Sequence, residues 1–490
     1  MQWSFAARLK GRRWLWAILL LAFVLRTYHL SGPPCDYHNW RQSITLMVAR
    51  DFARHGFDLV HPQVLWIAND RPSDPSYFSG EFSIQSLLAA LLYKVVGESD
   101  AVARMVTVAF SLLGIYFLYG LVNRGAGPLA ASLAAFVYAL LPHHLFFGRV
   151  FMPDVPALAL ALGALDALDR WTQDRKWGRL LVAAALAALA VLQKLTVTFL
   201  FLPALYLFWV VYGNRLLARI EPYVFAAIAA LPSIAWYTHS AAMARESGFA
   251  IMQPFRFGGS LGLWLEPSFL KQVLRALTLE AFSPAGLGLA MIGLLWPLRG
   301  RTAWALRWWV VGAALMLMLT PEVLPENHYY LCLLLPGGAG AAGLALARLA
   351  PGRTAYPLLA VVLLLFTAGA IQSVLPLYLE DRWPWDVGVL LQRLTAPGDL
   401  IVTESGGSPN VLYYADRRGW MLNRQYDLAR IEQLVRYGAN YYADVFPGDV
   451  REQREFFQAM DARFERLTPQ DGSLPWPIYR LARRLGPPRD

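Results

Sequence analysis

Cysteine is scarce in this sequence, since Cys35 and Cys332 are the only two among 490 residues. Two cysteines so far apart provide neither a disulfide framework nor the closely spaced ligand pairs of a structural zinc site. Cys332 lies in an apolar stretch and is interpreted as inert packing. Cys35 stands beside Asp36, so it either fills a gap in the core or faces a site.

Charge is also sparse: 16% of the residues are charged and 57% are hydrophobic, with a mean hydropathy of +0.38. About a quarter of the residues of a soluble domain are charged, so this composition indicates a polytopic membrane protein. A net charge of +10 is typical of proteins that bind nucleic acids. However, the arginines lie in short loops between apolar segments, which is typical of the positive-inside rule, and we expect no nucleic-acid partner. No glycine-rich phosphate loop and no nucleophile elbow is present.

Apolar runs are long enough to predict about eleven transmembrane helices, because crossing a bilayer takes about 20 residues. Basic residues precede the first run, and no small-residue cleavage site follows it, so we expect a first span with a cytoplasmic amino terminus. Whether the run at Pro284–Pro297 spans stays open. The predicted spans are Trp14–Leu30, Asp100–Leu121, Pro128–Phe147, Asp154–Arg170, Arg179–Gln193, Leu195–Tyr212, Pro222–His239, Pro284–Pro297, Ala303–Thr320, His328–Leu349 and Thr354–Pro376.

A further apolar run, Phe82–Val96, is predicted to lie at the outer interface rather than to span. If it spanned, nearly all loop arginines and lysines of the later segments would face outward, against the positive-inside rule. If Phe82–Val96 does not span, Arg149 and Lys194 are the only basic residues in the short outer turns. This choice places Asp36 and Asp154 on the same outer side.

The chain is therefore divided into a membrane domain, residues 1–376, and a soluble carboxy-terminal domain, residues 377–490. The membrane domain has two long outer loops, at residues 31–99 and 240–283, and loops of this length are usually functional. After residue 390 the sequence becomes charged and rich in turns, with short alternating segments such as the apolar strand Leu400–Thr403. These predict a small α/β domain on the outer side.

Polar residues are densest in the first outer loop, at Asp36-Tyr37-His38-Asn39-Trp40-Arg41-Gln42. A carboxylate near a membrane surface can act as a general base, and partial burial would adjust its pKa for that role. The alternative is that Asp36 caps the helix that starts near Arg41. On the first interpretation Asp36 is catalytic, while His38, Trp40 and Arg41 contact the substrate.

A second group of candidates lies at the outer ends of later spans. Asp154 follows Arg149 in a tight outer turn, where it could cap a helix and serve catalysis at once. Lys194 is the cation most expected to hold a phosphate, with snorkelling to the interface as the alternative. The remaining candidates are the loop arginines Arg245 and Arg256, and His328 and Tyr329 at the mouth of the tenth span, where aromatic residues are usually interface anchors.

Several short motifs resemble the GT-C glycosyltransferases, and most closely the bacterial protein-O-mannosyltransferase and lipid A aminoarabinose transferase group. They are Asp36 after the first span, Tyr77-Phe78 with Glu81, Met152–Pro156 after the third span, and, near the carboxy terminus, Pro397–Ile401, Leu412–Tyr414 and Arg418–Trp420. In the aminoarabinose transferases a phosphate-binding lysine follows the glutamate that matches Glu81. Phe82 stands there instead, so an aminoarabinose donor is not implied.

The resemblance implies a GT-C fold and an inverting transfer of a sugar from a polyprenyl-phosphate donor to a lipid, glycan or protein acceptor. It implies a location in the bacterial inner membrane, with the active site on the periplasmic face. Asp36 would be the general base and Asp154 the second acidic residue of the site, with Tyr77 and Glu81 binding substrate. A divalent metal ion is found in some relatives and not required in others, so a metal stays open. From the residue types alone, Asp36, His38 and Asp154 would be its ligands, but no recognised ligand spacing supports them, and the alternative is that His38 forms a hydrogen bond within the loop.

The rival function is a transporter or flippase of lipid-linked sugars. Transporters tend to have inverted repeats and broken helices near the bilayer centre. The polar residues of this sequence gather at one outer face instead, which favours an enzyme that works at the interface.

Overall fold

The computed structural model describes residues 5–68, 70–247, 260–297, 300–350, 352–446, 448–469 and 474–481. Helices dominate these residues, as the long apolar runs predict. In chain order the α-helices are α1 Phe5–Arg26, α2 Asn39–His55, α3 Ile84–Val96, α4 Asp100–Leu140, α5 Pro142–Phe147, α6 Asp154–Asp174, α7 Trp177–Gln193, α8 Phe201–Tyr212, α9 Ile220–Ser247, α10 Pro267–Arg275, α11 Pro284–Leu295, α12 Arg301–Leu319, α13 Leu335–Leu349, α14 Tyr356–Val374, α15 Trp383–Leu394, α16 Asn410–Ala415, α17 Leu428–Arg436, α18 Asp449–Glu452 and α19 Arg454–Arg463.

Short helical turns of other types extend or connect several of these helices. A π-helical turn at Ala276–Ala281 follows α10. The 3₁₀ turns are Leu195–Leu200, Gly213–Ala218, Leu261–Leu265, Pro321–Val323, His328–Leu334, Arg353–Ala355 and Leu375–Tyr378.

All eleven predicted spans fall on helical segments, although their limits and their continuity differ. The predicted spans Asp100–Leu121 and Pro128–Phe147 come from one helical stretch, α4, which breaks at Gly127 with φ 84°, and from α5. Six of the described helices are long and apolar enough to cross a membrane, or up to seven if the bent pair Pro267–Ala281 and Pro284–Leu295 counts as one span. The protein is thus a multi-pass membrane protein, and the total of about eleven spans stays a prediction.

The chain forms two compact units. Unit 1 contains residues 1–31, 101–238 and 253–378, and unit 2 contains residues 32–100, 239–252 and 379–490. The first long outer loop therefore shares a unit with the carboxy-terminal residues, which the predicted boundary at residue 376 separates from it.

Unit 1 is a bundle of apolar helices whose glycines allow close packing. A Cβ atom at Gly343 of α13 would lie 2.4 Å from the backbone nitrogen of Ala134, and one at Gly340 would lie 2.7 Å from Leu306. Small residues let helix backbones approach where apolar burial alone gives little driving force. The glycines of this helix therefore serve helix packing.

Unit 2 contains a five-stranded sheet of order β2-β1-β3-β5-β4. The strands are β1 Leu400–Glu404, β2 Gly419–Leu422, β3 Ala439–Asp444, β4 Glu465–Arg466 and β5 Ile478–Arg480. Strand β1 pairs with β2 and β3 in parallel, whereas β5 is antiparallel to β3 and β4. Helices between the parallel strands bury one face of the sheet around Val402, Ile431 and Tyr442. The predicted small α/β fold is confirmed.

Helices α2 and α3 of unit 2 come from the first outer loop. They are joined by a hydrogen bond from Ser86 Oγ to the carbonyl of Thr45, at 3.0 Å. Along the last turns of α3, Leu91, Val95 and Val96 are exposed. Exposed apolar side chains on a 13-residue helix are typical of interfacial helices, so this observation supports the predicted position of Phe82–Val96, which itself stays a prediction.

Candidate active site

The loop that carries Asp36 leads directly into α2. His38 is the N-cap residue of this helix and has left-handed backbone angles, with φ 58° and ψ 38°. Asp36 is therefore not the N-cap, as the alternative interpretation would require. Its Oδ1 atom instead accepts a hydrogen bond from Gln42 Nε2 at 2.7 Å.

Burial makes this carboxylate unusual among those of the loop. Asp36 is 5% exposed and Gln42 is fully buried, whereas the side chain of Asp58 in the same loop is 61% exposed. A buried carboxylate needs hydrogen bonds or a charge partner to stay ionised. The amide of Gln42 provides one hydrogen bond and orients the carboxylate from the first turns of α2.

Arg41 and Glu81 form a buried ion pair in unit 2. Arg41 Nη2 lies 2.5 Å from Glu81 Oε1, and the two side chains are 4% and 6% exposed. The Arg41 guanidinium also lies 5.8 Å from the ring centre of Phe78. The two residues were predicted separately to bind substrate, and the structure brings them together, so each balances the other's charge.

The other candidates of the first outer loop lie nearby in the sequence but have different surroundings. The ring of His38 lies 4.1 Å from that of Tyr37, and Trp40 is partly buried in the first turn of α2. Tyr77 packs against His61, with ring centres 5.5 Å apart, and burial is the main cause that raises the pKa of its hydroxyl. Roles in substrate binding for these residues stay predictions.

In unit 1, Asp154 and Lys194 form a second buried ion pair. Lys194 Nζ lies 3.0 Å from Asp154 Oδ1, with side-chain exposures of 10% and 3%. Asp154 is the first residue of α6, after the N-cap residue Pro153, and Lys194 stands between α7 and the 3₁₀ turn that follows. Asp154 is thus a first-turn acid, where negative charge is favourable, rather than the predicted N-cap.

Two tyrosine rings complete the surroundings of Lys194. Its Nζ atom lies 4.9 Å from the ring centre of Tyr329 and 4.7 Å from that of Tyr330. These two rings are stacked, with centres 4.8 Å apart. Tyr329 is therefore more than an interface anchor, because cation–π contacts with both rings stabilise the ammonium group.

The remaining candidates have different surroundings. Arg149 is fully buried, donates to the carbonyl of His29 at 3.4 Å and lies 4.5 Å from the ring centre of Tyr378. His328 Nδ1 lies 2.8 Å from Glu280 Oε2. Of the two loop arginines, Arg245 is exposed near the end of α9, and Arg256 lies outside the described residues.

The candidate metal ligands have protein partners in the structure. Asp36 accepts from an amide, and Asp154 is paired with a lysine ammonium. Among the described residues, no group of three or more His, Cys, Asp or Glu side chains is arranged to hold a metal ion. Both carboxylates are thus already engaged by protein donors, and the predicted metal ligands stay a prediction.

Three contributors to these clusters were missed in the sequence: Gln42 beside Asp36, Tyr330 beside Lys194 and Glu280 beside His328. Gln42 ends the polar stretch that begins at Asp36, and Tyr330 directly follows the candidate Tyr329, so proximity in the sequence was a usable signal. Glu280 is 48 residues from His328, and no spacing rule connects the two.

The sequence comparison points to one family. Residues 84–237 match the family described as dolichyl-phosphate-mannose-protein mannosyltransferase, a match that covers less than half of the chain. No curated protein matches this sequence. The matched residues include Asp154 and Lys194 but not Asp36.

Solved structures resemble almost the whole chain. The ArnT protein from Cupriavidus metallidurans aligns in its apo state with a TM-score of 0.69 and 14% identity, covering 98% of this chain and 100% of that one. The same protein bound to undecaprenyl phosphate aligns with a TM-score of 0.67 and 13% identity, over 97% and 99% of the two chains. An apo oligosaccharyltransferase from Archaeoglobus fulgidus aligns with a TM-score of 0.53 and 13% identity, over 88% of this chain and 69% of that one.

The fold class follows from these comparisons. A multi-pass bundle of apolar helices, joined to a small α/β unit, has the fold of the GT-C glycosyltransferases ArnT and archaeal oligosaccharyltransferase. The resemblance predicted from the sequence is confirmed.

Proposed function

We propose that this protein is a glycosyltransferase that moves a sugar from a polyprenyl-phosphate donor to an acceptor hydroxyl or amine. The fold is that of ArnT, which binds undecaprenyl phosphate, and the family match is to transferases named for a polyprenol-linked mannose donor. The observation that carries the proposal is Asp36, a buried carboxylate oriented by Gln42 in the first outer loop. The proposed location is the bacterial inner membrane, with the site on the periplasmic face.

In the proposed reaction Asp36 takes the proton of the acceptor hydroxyl or amine. The acceptor oxygen or nitrogen then bonds to the anomeric carbon of the sugar while the bond from that carbon to the phosphate oxygen breaks. The polyprenyl phosphate leaves with the bonding electrons, and the configuration at the anomeric carbon inverts. Gln42 holds the carboxylate in one orientation, which limits the loss of entropy on reaching the transition state.

Lys194 is proposed to stabilise the charge of the donor phosphate. Its ammonium group is held by Asp154 and by two aromatic rings, so a positive charge is kept in a buried position. A preorganised charge of this kind costs little to use when negative charge grows on the leaving phosphate. Asp154 then acts on catalysis through Lys194.

The test compares the purified wild-type protein with Asp36→Asn in lipid nanodiscs, supplied with a panel of short-chain polyprenyl-phosphate sugars and envelope lipid extract. A general base contributes about 10²–10⁴-fold to the rate, so we expect a loss of this size. Asp58→Asn, an exposed carboxylate of the same loop, is the matched control and should retain activity.

Normal transfer by Asp36→Asn would contradict the proposed base. Transport of the donor by the wild-type protein in liposomes, without any transfer, would favour the rival flippase function.

A further inference from the structure

A cavity of about 350 Å³ lies in unit 2 at the carboxyl end of the parallel strands. Strand β1 lies between β2 and β3 in the sheet, so the connection from β1 to β2 and the connection from β2 to β3 run in opposite directions across the sheet. Ligands of open α/β sheets bind at such switch points, outside the carboxyl ends of the strands. The polar and aromatic residues of its lining include Asn39, Asp381, Trp383, Ser408, Asn410 and Phe446.

The loop after β1 has a defined shape at the cavity wall. Gly406 and Gly407 have φ values of 64° and 74°, which side chains with a Cβ atom rarely adopt. The backbone nitrogens of Ser405 and Gly407 both donate to the carbonyl of Leu422 at the end of β2. The loop is therefore pinned to the sheet, and it presents Ser408 and Asn410 to the cavity.

The side-chain amide of Asn410 is buried in the wall of the cavity. The residue is 2% exposed, and within the described part of the chain its Oδ1 atom has no hydrogen-bond partner. The hydroxyl of Ser408 also lacks a partner there. Buried polar groups are nearly always hydrogen-bonded, so two such groups on one cavity wall indicate a polar ligand.

The lining determines the class of that ligand. None of the described residues that line the cavity is a lysine or an arginine, and Asp381 adds a carboxylate, which disfavours an anion. The Arg424 guanidinium packs on the ring of Phe446, 4.1 Å from its centre, so Phe446 offers a ligand at most its other face. Amide, hydroxyl and carboxylate groups stand beside the rings of Trp383 and Phe446. A neutral sugar has hydroxyls for the polar groups and an apolar C–H face for the rings, and a cavity of this size accepts one or two rings.

The cavity also adjoins the loop of the proposed base. Asn39 lines it three residues after Asp36, and the backbone nitrogen of Asp381 donates to the carbonyl of Cys35 at 2.9 Å. We propose that this cavity binds a neutral sugar of the acceptor, so that the acceptor is a glycan or glycolipid. That the bound sugar belongs to the acceptor rests on the proposed transfer reaction. That the cavity binds a sugar does not depend on it.

Sugar binding is tested by saturation-transfer NMR on the full-length protein in nanodiscs. The probes are the methyl glycosides of glucose, galactose, mannose and N-acetylglucosamine. At least one should bind the wild type, and Trp383→Ala and Asn410→Ala should each weaken its binding at least tenfold. Trp385→Ala is the matched control, because this tryptophan of the same helix contacts Arg382 and does not line the cavity.

Absence of binding by every probe, or unchanged binding in both Trp383→Ala and Asn410→Ala, would overturn the inference. Kinetic measurements then separate sugar binding in the cavity from the proposed transfer reaction. Asp36→Asn should bind the glycoside normally but fail to transfer. Trp383→Ala should raise the KM for the acceptor with little change in kcat, and a change confined to the donor KM would also refute the role of the cavity.

Discussion

Removing either charge of the Asp154–Lys194 pair should destabilise unit 1. The two atoms are 3.0 Å apart, and at an effective dielectric constant of about 20 their attraction is about 5 kcal/mol. Much of that attraction offsets the cost of burying both charges. A single replacement leaves an unpaired buried charge, so we expect Lys194→Met and Asp154→Asn each to lower the free energy of unfolding by about 3–5 kcal/mol.

The double variant, Lys194→Met with Asp154→Asn, removes both charges and should be more stable than either single variant. The coupling energy of the double-mutant cycle should be at least about 2 kcal/mol, within the range for residues in direct contact. The free energies of unfolding that give this coupling energy are measured by denaturation in detergent, with tryptophan fluorescence as the signal. Lys176→Met replaces an exposed lysine and should leave stability unchanged.

Transfer activity of the same variants separates a structural pair from a phosphate site. If Lys194 serves the donor phosphate, the stable double variant should be inactive or should have a much higher KM for the donor. An active double variant would show that the pair is structural. Single variants as stable as the wild type, or a double variant no more stable than the singles, would refute the electrostatic reasoning itself.

Two further predictions concern packing. Burial is the main cause that raises the pKa of the Cys35 thiol to about 12, so in a Cys332→Ser background maleimide should modify the folded protein at pH 8 about 10³-fold more slowly than the unfolded chain. Labelling at equal rates would contradict this. Gly293→Ala should lower the melting temperature, because the new Cβ would lie 2.1 Å from the carbonyl oxygen of Ala341. At Gly288 of the same helix an added Cβ would have no neighbouring atom within 4 Å, so Gly288→Ala should be neutral or slightly stabilising. Equal changes in melting temperature for the two variants would refute the packing argument.

Much of the fold could be predicted because it depends on local properties. An apolar run must be helical inside a bilayer, since its backbone groups have no other partners there. Helices α10 and α17 are amphipathic, and the helical period of their apolar residues is also a local property. The edge strand β4 and the short helix α16 were missed, because elements this short show no periodicity.

The candidate site could be predicted only in part. The density of polar groups around Asp36 marked a loop whose carboxylate is buried in the structure, and the position of Lys194 between two apolar runs marked a buried, paired charge. Their catalytic roles stay predictions. Neither pattern shows that Asp36 accepts from Gln42, or that Lys194 is paired with Asp154. Those contacts depend on loop backbone angles, such as the left-handed angles of His38, and on the packing of separate helices.

Composition and hydropathy by themselves determined that this is a membrane protein with a small α/β region, because bilayer thickness and strand alternation act on neighbouring residues. Tertiary structure decided which charges are paired, namely Arg41 with Glu81 and Lys194 with Asp154. It also decided that residues after β1 and β3 border one cavity. The physical reason is that residues 40 positions apart come into contact only after the chain between them has folded. The local sequence pattern around either residue does not specify that contact.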